Sequence, residues 1–160
     1  MGIRLPVLLA AISWLSAPTT AQALCEYRGQ LYAKTTLAQE FDNSRWVVRA
    51  RVTRERTYRD CADCPGRLYD LEVVIRYKGD LPHKFTYYTP QNSGAFYLDQ
   101  GQAAIGTEWL LFLNAGQWGV SDSAAARLAT RINYNCGQSA EWRTINARER
   151  ARLSGLASQR

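Results

Sequence analysis

The spacing of apolar positions changes several times along the chain, and each change marks an element. Leu5 to Leu15 is an apolar run broken only by Pro6 and Ser13. From Trp46 to Val52 the pattern alternates: Val48, Ala50 and Val52 face one way, Arg49 and Arg51 the other. A period of two with one apolar face predicts a half-buried strand. Leu68 to Tyr77 predicts the longest strand, with Tyr69, Leu71, Val73, Ile75 and Tyr77 on one face. Lys84 to Thr89, rich in aromatic and β-branched residues, predicts a third. Glu108 to Asn114 is almost continuously apolar and suits a strand buried on both faces. Gln117 to Ser121 is the candidate fifth strand.

Helical spacing fills the gaps. Gln30 to Phe41 predicts a short helix with Leu31, Ala38 and Phe41 on one side, broken by Asp42-Asn43-Ser44. Ser123 to Arg131 predicts another. Ser139 is placed to cap a final helix in which Trp142, Ile145, Leu153 and Leu156 share a docking face. Arg143, Arg148, Arg150 and Arg152 of that helix are expected in water. Thr53 to Gly66 is polar and reads as a long hairpin loop, Lys78-Gly79-Asp80 as a turn, and Pro90 to Gly94 as a loop. Five antiparallel strands with short helices in this order predict a mainly β fold. Its expected form is a five-stranded closed barrel of the OB type, with a short N-terminal helix and a C-terminal helix packed on it. Closure leaves no sheet edge open.

The first apolar run has a different use. Arg4 precedes it, and Ser16 to Ala23 follows, small and polar, ending Ala21-Gln22-Ala23. That order is what signal peptidase reads. The expectation is a signal peptide over 1–23, cleaved near Ala23, and a single secreted or periplasmic domain over 24–160. The run is too short to span a bilayer, which takes roughly 20 residues. Leu24 before Cys25 is too large for lipoprotein processing. The formal charge of +6 is modest. For an exported chain it says little about nucleic acid and fits an anionic envelope surface or an acidic partner equally well.

Four cysteines follow the leader: Cys25, Cys61, Cys64 and Cys136. An even count in an oxidising compartment reads as two disulfides. Cys61-x-x-Cys64 also has the spacing of a zinc half-site or a redox pair. Against zinc, the other two thiols are single and far apart. Against redox chemistry, the pair sits in a loop-like stretch and opens no helix.

Enzyme chemistry finds few of the residues it needs. The sole histidine, His83, lies in a Pro82–Lys84 turn and reads as solvent-exposed. There is no Gly-x-Ser-x-Gly and no phosphate-binding glycine loop. Paired carboxylates are available as Glu40 with Asp42 or Asp99 with Glu108, in positions that read as ordinary surface. No catalytic residue, cofactor or resident metal is expected. A binding module is the better reading. Tyr87, Tyr88, Phe96, Tyr97 and Trp118 could stack on a ligand, though barrel packing accounts for them more simply. Arg49 and Arg51 could bind phosphate. One reading is therefore an envelope module that binds an anionic glycan or an oligonucleotide on the barrel face.

Several segments resemble a known family. Phe41-Asp42-Asn43-Ser44-Arg45-Trp46-Val47-Val48-Arg49-Ala50 is similar to the entry into the first strand of the netrin-like, amino-terminal domain of the tissue inhibitors of metalloproteinases. Tyr69 to Gly79, ending Tyr77-Lys78-Gly79, resembles its second strand and turn. Phe85 to Pro90 and Leu98-Asp99-Gln100-Gly101 resemble its third strand and the loop after it. Cys136, six residues before Trp142 and followed by Ile145, Arg150 and Leu153, resembles its cysteine and last helix. Bacterial chains of unknown role share the domain.

The resemblance implies a bridge from Cys25 to Cys136, leaving Cys61 with Cys64 as a local one. It also implies a recognition ridge for a protease or another protein. That ridge joins Leu24 and Cys25 at the amino terminus with the loop residues Gln91, Asn92, Ser93 and Gly94. The animal inhibitors begin Cys-x-Cys and chelate the protease zinc with the first cysteine's amino group. Here Ala23 stands at that first position, and Gln91 to Tyr97 holds no cysteine to pair with it. Cleavage after Ala23 would leave Leu24 as an unbridged, less preorganised terminus.

Overall fold

The computed structural model describes residues 25–27, 30–31, 34–59, 65–91, 94–99, 103–116 and 128–159. In chain order its elements are β1 (Glu26–Tyr27), β2 (Gln30–Leu31), α1 (Leu37–Asn43), β3 (Trp46–Arg59), β4 (Pro65–Lys78) and β5 (Lys84–Pro90). They continue with β6 (Glu108–Ala115), β7 (Thr130–Ile132), β8 (Ala140–Glu141), a 3-10 turn at Trp142–Thr144, and α2 (Ala147–Ser158).

Five strands close a barrel. β3 pairs antiparallel with β4, β4 with β5, and β6 with both β3 and β7. The remaining seam, β5 with β7, is parallel and rests on the single register pair Tyr87↔Thr130. The cyclic order β3-β4-β5-β7-β6 makes this a Greek-key barrel of the OB type. Gly79 turns β4 into β5 at φ +75°, a conformation that favours glycine. A Cβ there would also strike the Arg45 carbonyl.

Alternation on β3 fills the barrel with Val48, Ala50 and Val52, which meet Tyr69, Leu71, Tyr87, Trp109, Leu111 and Leu113. The continuous apolar run of β6 is explained by a second layer. Leu110 and Phe112 point out of the barrel beside Val47, onto Leu37 and Phe41 of α1, Ile145, and Leu153 of α2. Leu153 is wholly buried there, a contribution of about 1.5–3 kcal/mol. Trp142 and Leu156 pack against the same cluster, so the four expected residues dock, but only Leu153 and Leu156 do so from α2, while Trp142 and Ile145 come from the 3-10 turn before it.

Several elements differ from the pattern-based expectation. The first helix starts at Leu37, not Gln30. The Thr36 hydroxyl accepts from the Gln39 N–H, and the Gln39 side chain accepts from the Thr36 N–H, a capping box that fixes the start. Gln30–Leu31 instead pairs with Glu26–Tyr27. Asp42 and Asn43 belong to the helix, which ends at Ser44.

Thr53 to Arg59 and Pro65–Gly66 are strand rather than loop, paired from Arg54↔Asp70 to Arg59↔Pro65. Polar composition misleads here because cross-strand ion pairs line the ribbon: Arg56 with Asp70 at 2.5 Å, and Arg67 with Glu55 at 2.8 Å. The single inner face expected for β4 ends at Val73. Ala50 pairs with Val73 and Arg49 with Ile75, so Val74 is an extra residue and the alternation flips. Ile75 is consequently exposed.

The fifth barrel strand is Thr130–Ile132, within the stretch whose pattern predicts a helix. Gln117 to Ser121 lies outside the described residues, as do the expected leader and the Cys61-x-x-Cys64 pair. Ser139 does not cap the last helix. It is buried, and its hydroxyl accepts from the Phe112 N–H at 3.0 Å. Asn146 caps α2 instead, in a capping box with Glu149.

Candidate functional site

The ridge implied by the family resemblance can be traced from its cysteine outward. Cys25 and Cys136 form a disulfide across 111 residues of sequence, with their Cα atoms 5.9 Å apart. The bond ties the start of the described chain to the segment between β7 and β8. That segment is anchored at three further points and closed by one internal turn. Asn133 N–H donates to the Phe112 carbonyl at 2.7 Å, and Gly137 N–H to the Tyr134 carbonyl at 3.0 Å. The Gln138 amide reaches the Thr35 carbonyl at 2.5 Å. The Asn135 amide donates to the carbonyl of Gly94, also at 2.5 Å.

The last bond brings two expected parts of the site together. Gly94 belongs to the loop after β5, and Asn135 is the neighbour of Cys136. One side-chain hydrogen bond and one disulfide thus link Gly94 to Cys25 through a two-residue bridge. Gln91 stands exposed at the other end of that loop. Leu24, Asn92 and Ser93 lie outside the described residues. Asn135 was not legible as a site residue, since its role depends on a partner 41 positions away.

Beneath this segment lies Glu40, which its position in the sequence would place on the surface. It is wholly buried. The helical turn of α1 that puts Phe41 into the apolar layer also carries Glu40 inward, against Thr35 and Gly137. The Thr35 hydroxyl donates to Oε1 at 3.0 Å. Oε2 is buried without a partner at hydrogen-bond geometry among the described residues, as is the Asn133 amide nitrogen. Burial pushes the carboxyl above the usual carboxylate range, against the pull of the Thr35 hydroxyl, the Asn133 amide and the Gln138 N–H. Asp42, two positions further along α1, is exposed.

The remaining candidates are taken up by packing or by ion pairs. Glu108 receives Arg49 Nε at 2.6 Å and Arg51 at 2.6 Å. Partial burial would raise its pKa, but these two arginines outweigh it and hold it low. Arg49 also lies 4.5 Å from the Trp142 ring centroid. Arg150, expected in water, also lies over the Trp142 ring, 4.5 Å from its centroid, and donates to the Ile145 and Trp142 carbonyls. Asp99 is held by Arg67.

Tyr87 is buried in the barrel and donates to the Phe96 carbonyl at 2.8 Å. Tyr88 is buried under Arg131. Phe96 stacks edge-on to Trp109, and Tyr97 sits below Arg67 at 5.5 Å. Trp118 lies outside the described residues. His83 is exposed in its turn and pairs with Glu72 at 2.9 Å.

Among the described residues no cluster of three or more His, Cys, Asp or Glu side chains converges on a metal position. No helix among them is long and apolar enough to cross a membrane. A long-range disulfide of this kind persists in oxidising compartments. No protein-family model and no curated protein matches the chain.

Proposed function

We propose that this chain is an exported, non-enzymatic binding domain, similar to the netrin-like domain of the metalloproteinase inhibitors, that recognises a protein partner through its disulfide-linked ridge. The observation that carries the reading is the joining of Cys25, Cys136, Asn135 and Gly94. It puts the amino-terminal segment and the loop after β5 on one rigid support. Such preorganisation lowers the ordering cost of binding. The disulfide fits the secreted or periplasmic location expected from the leader over 1–23.

A protease is the partner the family resemblance favours. A mature terminus at Leu24 would carry a free α-amino group, without the cysteine that braces it in the animal inhibitors. The test is inhibition of a panel of zinc metalloproteases by the mature protein, whose terminus is first established by mass spectrometry. Inhibition that disappears on acetylating the α-amino group supports this partner. No inhibition of any member, or inhibition indifferent to acetylation, removes chelation from the reading.

A further inference from the structure

We propose that Glu40 is a pH-sensitive latch on the ridge: with its proton on, it keeps the Tyr134–Gln138 segment seated, and on losing the proton it unseats that segment and loosens Cys136. This goes beyond the binding reading and does not depend on it, because the latch is a property of the free protein.

The geometry supplies both halves of the device. The first is a close approach. Gly137 follows Cys136 directly, and its Cα lies so close to the Glu40 carboxyl that any Cβ would overlap Oε1. The segment therefore rests on the carboxyl itself. The second half is a poor home for a charge. Glu40 is wholly buried, and Oε2 has no donor at hydrogen-bond geometry among the described residues. The neutral donors around the carboxyl, Thr35, Asn133 and the Gln138 N–H, replace only part of the hydration that a charged Glu40 loses there.

The groups facing the carboxyl come from each element packed on it. Thr35 comes from the stretch before α1, Asn133 from the end of β7, and Gly137 and the Gln138 N–H from the segment after Cys136. None of these is titratable, and no charged side chain among the described residues enters the balance. Lys78, which reaches α1 from β4, donates to the Phe41 and Asp42 carbonyls. Burial and a few neutral donors set the ionisation.

The direction follows from linkage. The seated state holds the proton more tightly than the unseated one, where water reaches the carboxyl. Seating is therefore strongest below the ordinary glutamate value. It weakens as pH rises toward the elevated value of the seated state, and levels off above it. Each unit between the two values changes the seating equilibrium about tenfold. The segment is tied to Cys25 and to Gly94, so the change is transmitted to both parts of the ridge.

The experiment is carbon-detected NMR titration of the Glu40 carboxyl in the disulfide-intact mature protein, with amide hydrogen exchange of residues 134–138 measured over the same pH range. Exchange is corrected for its intrinsic base catalysis and referenced to the Leu111 and Leu113 amides of the barrel. The expected result is a Glu40 midpoint above the ordinary carboxylate range, with protection of 134–138 falling alongside it by about tenfold per unit of elevation. In Glu40→Gln the protection is expected to be independent of pH. Should that variant fail to fold, Thr35→Val serves. Loss of a donor that favours the carboxylate raises the midpoint, and the carboxyl and exchange midpoints should rise together. An ordinary Glu40 midpoint, loop protection that ignores the carboxyl titration, or a Glu40→Gln profile matching wild type would overturn the latch.

Discussion

The Cα of Gly137 sits against the carboxyl of Glu40, so the segment carrying Cys136 can approach α1 only without a side chain at that position. Gly137→Ala is therefore expected to destabilise the protein by about 1–3 kcal/mol, the usual range for overpacking a closed site. The cost should shrink in the Glu40→Ala background, where the obstructing carboxyl is gone. Urea unfolding of both single variants and the double variant checks this. Additive costs would show that the two residues do not interact.

The Cys25–Cys136 bond closes nearly the whole described fold into one loop. In the chain-entropy account, a loop of about a hundred residues is worth ~4–5 kcal/mol. Cys25→Ala with Cys136→Ala is expected to lose most of that, seen as a lower urea midpoint at nearly unchanged slope. Non-reducing peptide mapping should recover the Cys25 and Cys136 peptides joined, and a Cys25 peptide joined to Cys61 or Cys64 would refute the pairing.

Glu108 should give the opposite pH signature to Glu40. Burial alone would raise its pKa, but Arg51 and Arg49 hold it below the ordinary value. A group depressed in the fold stabilises above its unfolded pKa, and that contribution is lost as pH falls through the folded value. Thermal unfolding between pH 3 and pH 7, on the acid side of neutrality, should show a smaller fall for Glu108→Gln than for wild type. Equal falls would mean that the three-residue ion cluster does not contribute.

How much of this was legible beforehand depends on the range over which each signal acts. Period-two alternation marked β3 and the core end of β4. The unbroken apolar run of β6 announced a strand covered on both faces, because local spacing reports burial directly. The flip at Val74 carried no such signal, since a bulge belongs to a pair of strands and not to one of them. The Arg54–Arg59 ribbon looked like loop because its stabilising partners, Asp70 and Arg67, are on the next strand. Thr130–Ile132 is too short to show a period.

The site divides in the same way. The Cys25–Cys136 pairing followed from resemblance to a family, not from spacing. Glu40 was misplaced because a carboxylate in a helix is ordinarily surface, and nothing local reveals that Gly137 will fold over it. Asn135 gained its meaning only through the carbonyl of Gly94.

The central claim is that a protein partner binds at the ridge, and site-specific photo-crosslinking tests it most directly. A photoreactive side chain placed at exposed Gln91 is compared with one at exposed Arg152 on α2, each in the mature protein exposed to the native secretome. The account predicts a discrete protein adduct from position 91, reduced by Asn135→Ala and absent from position 152. Adducts of equal yield from both positions, or none from position 91, would contradict it.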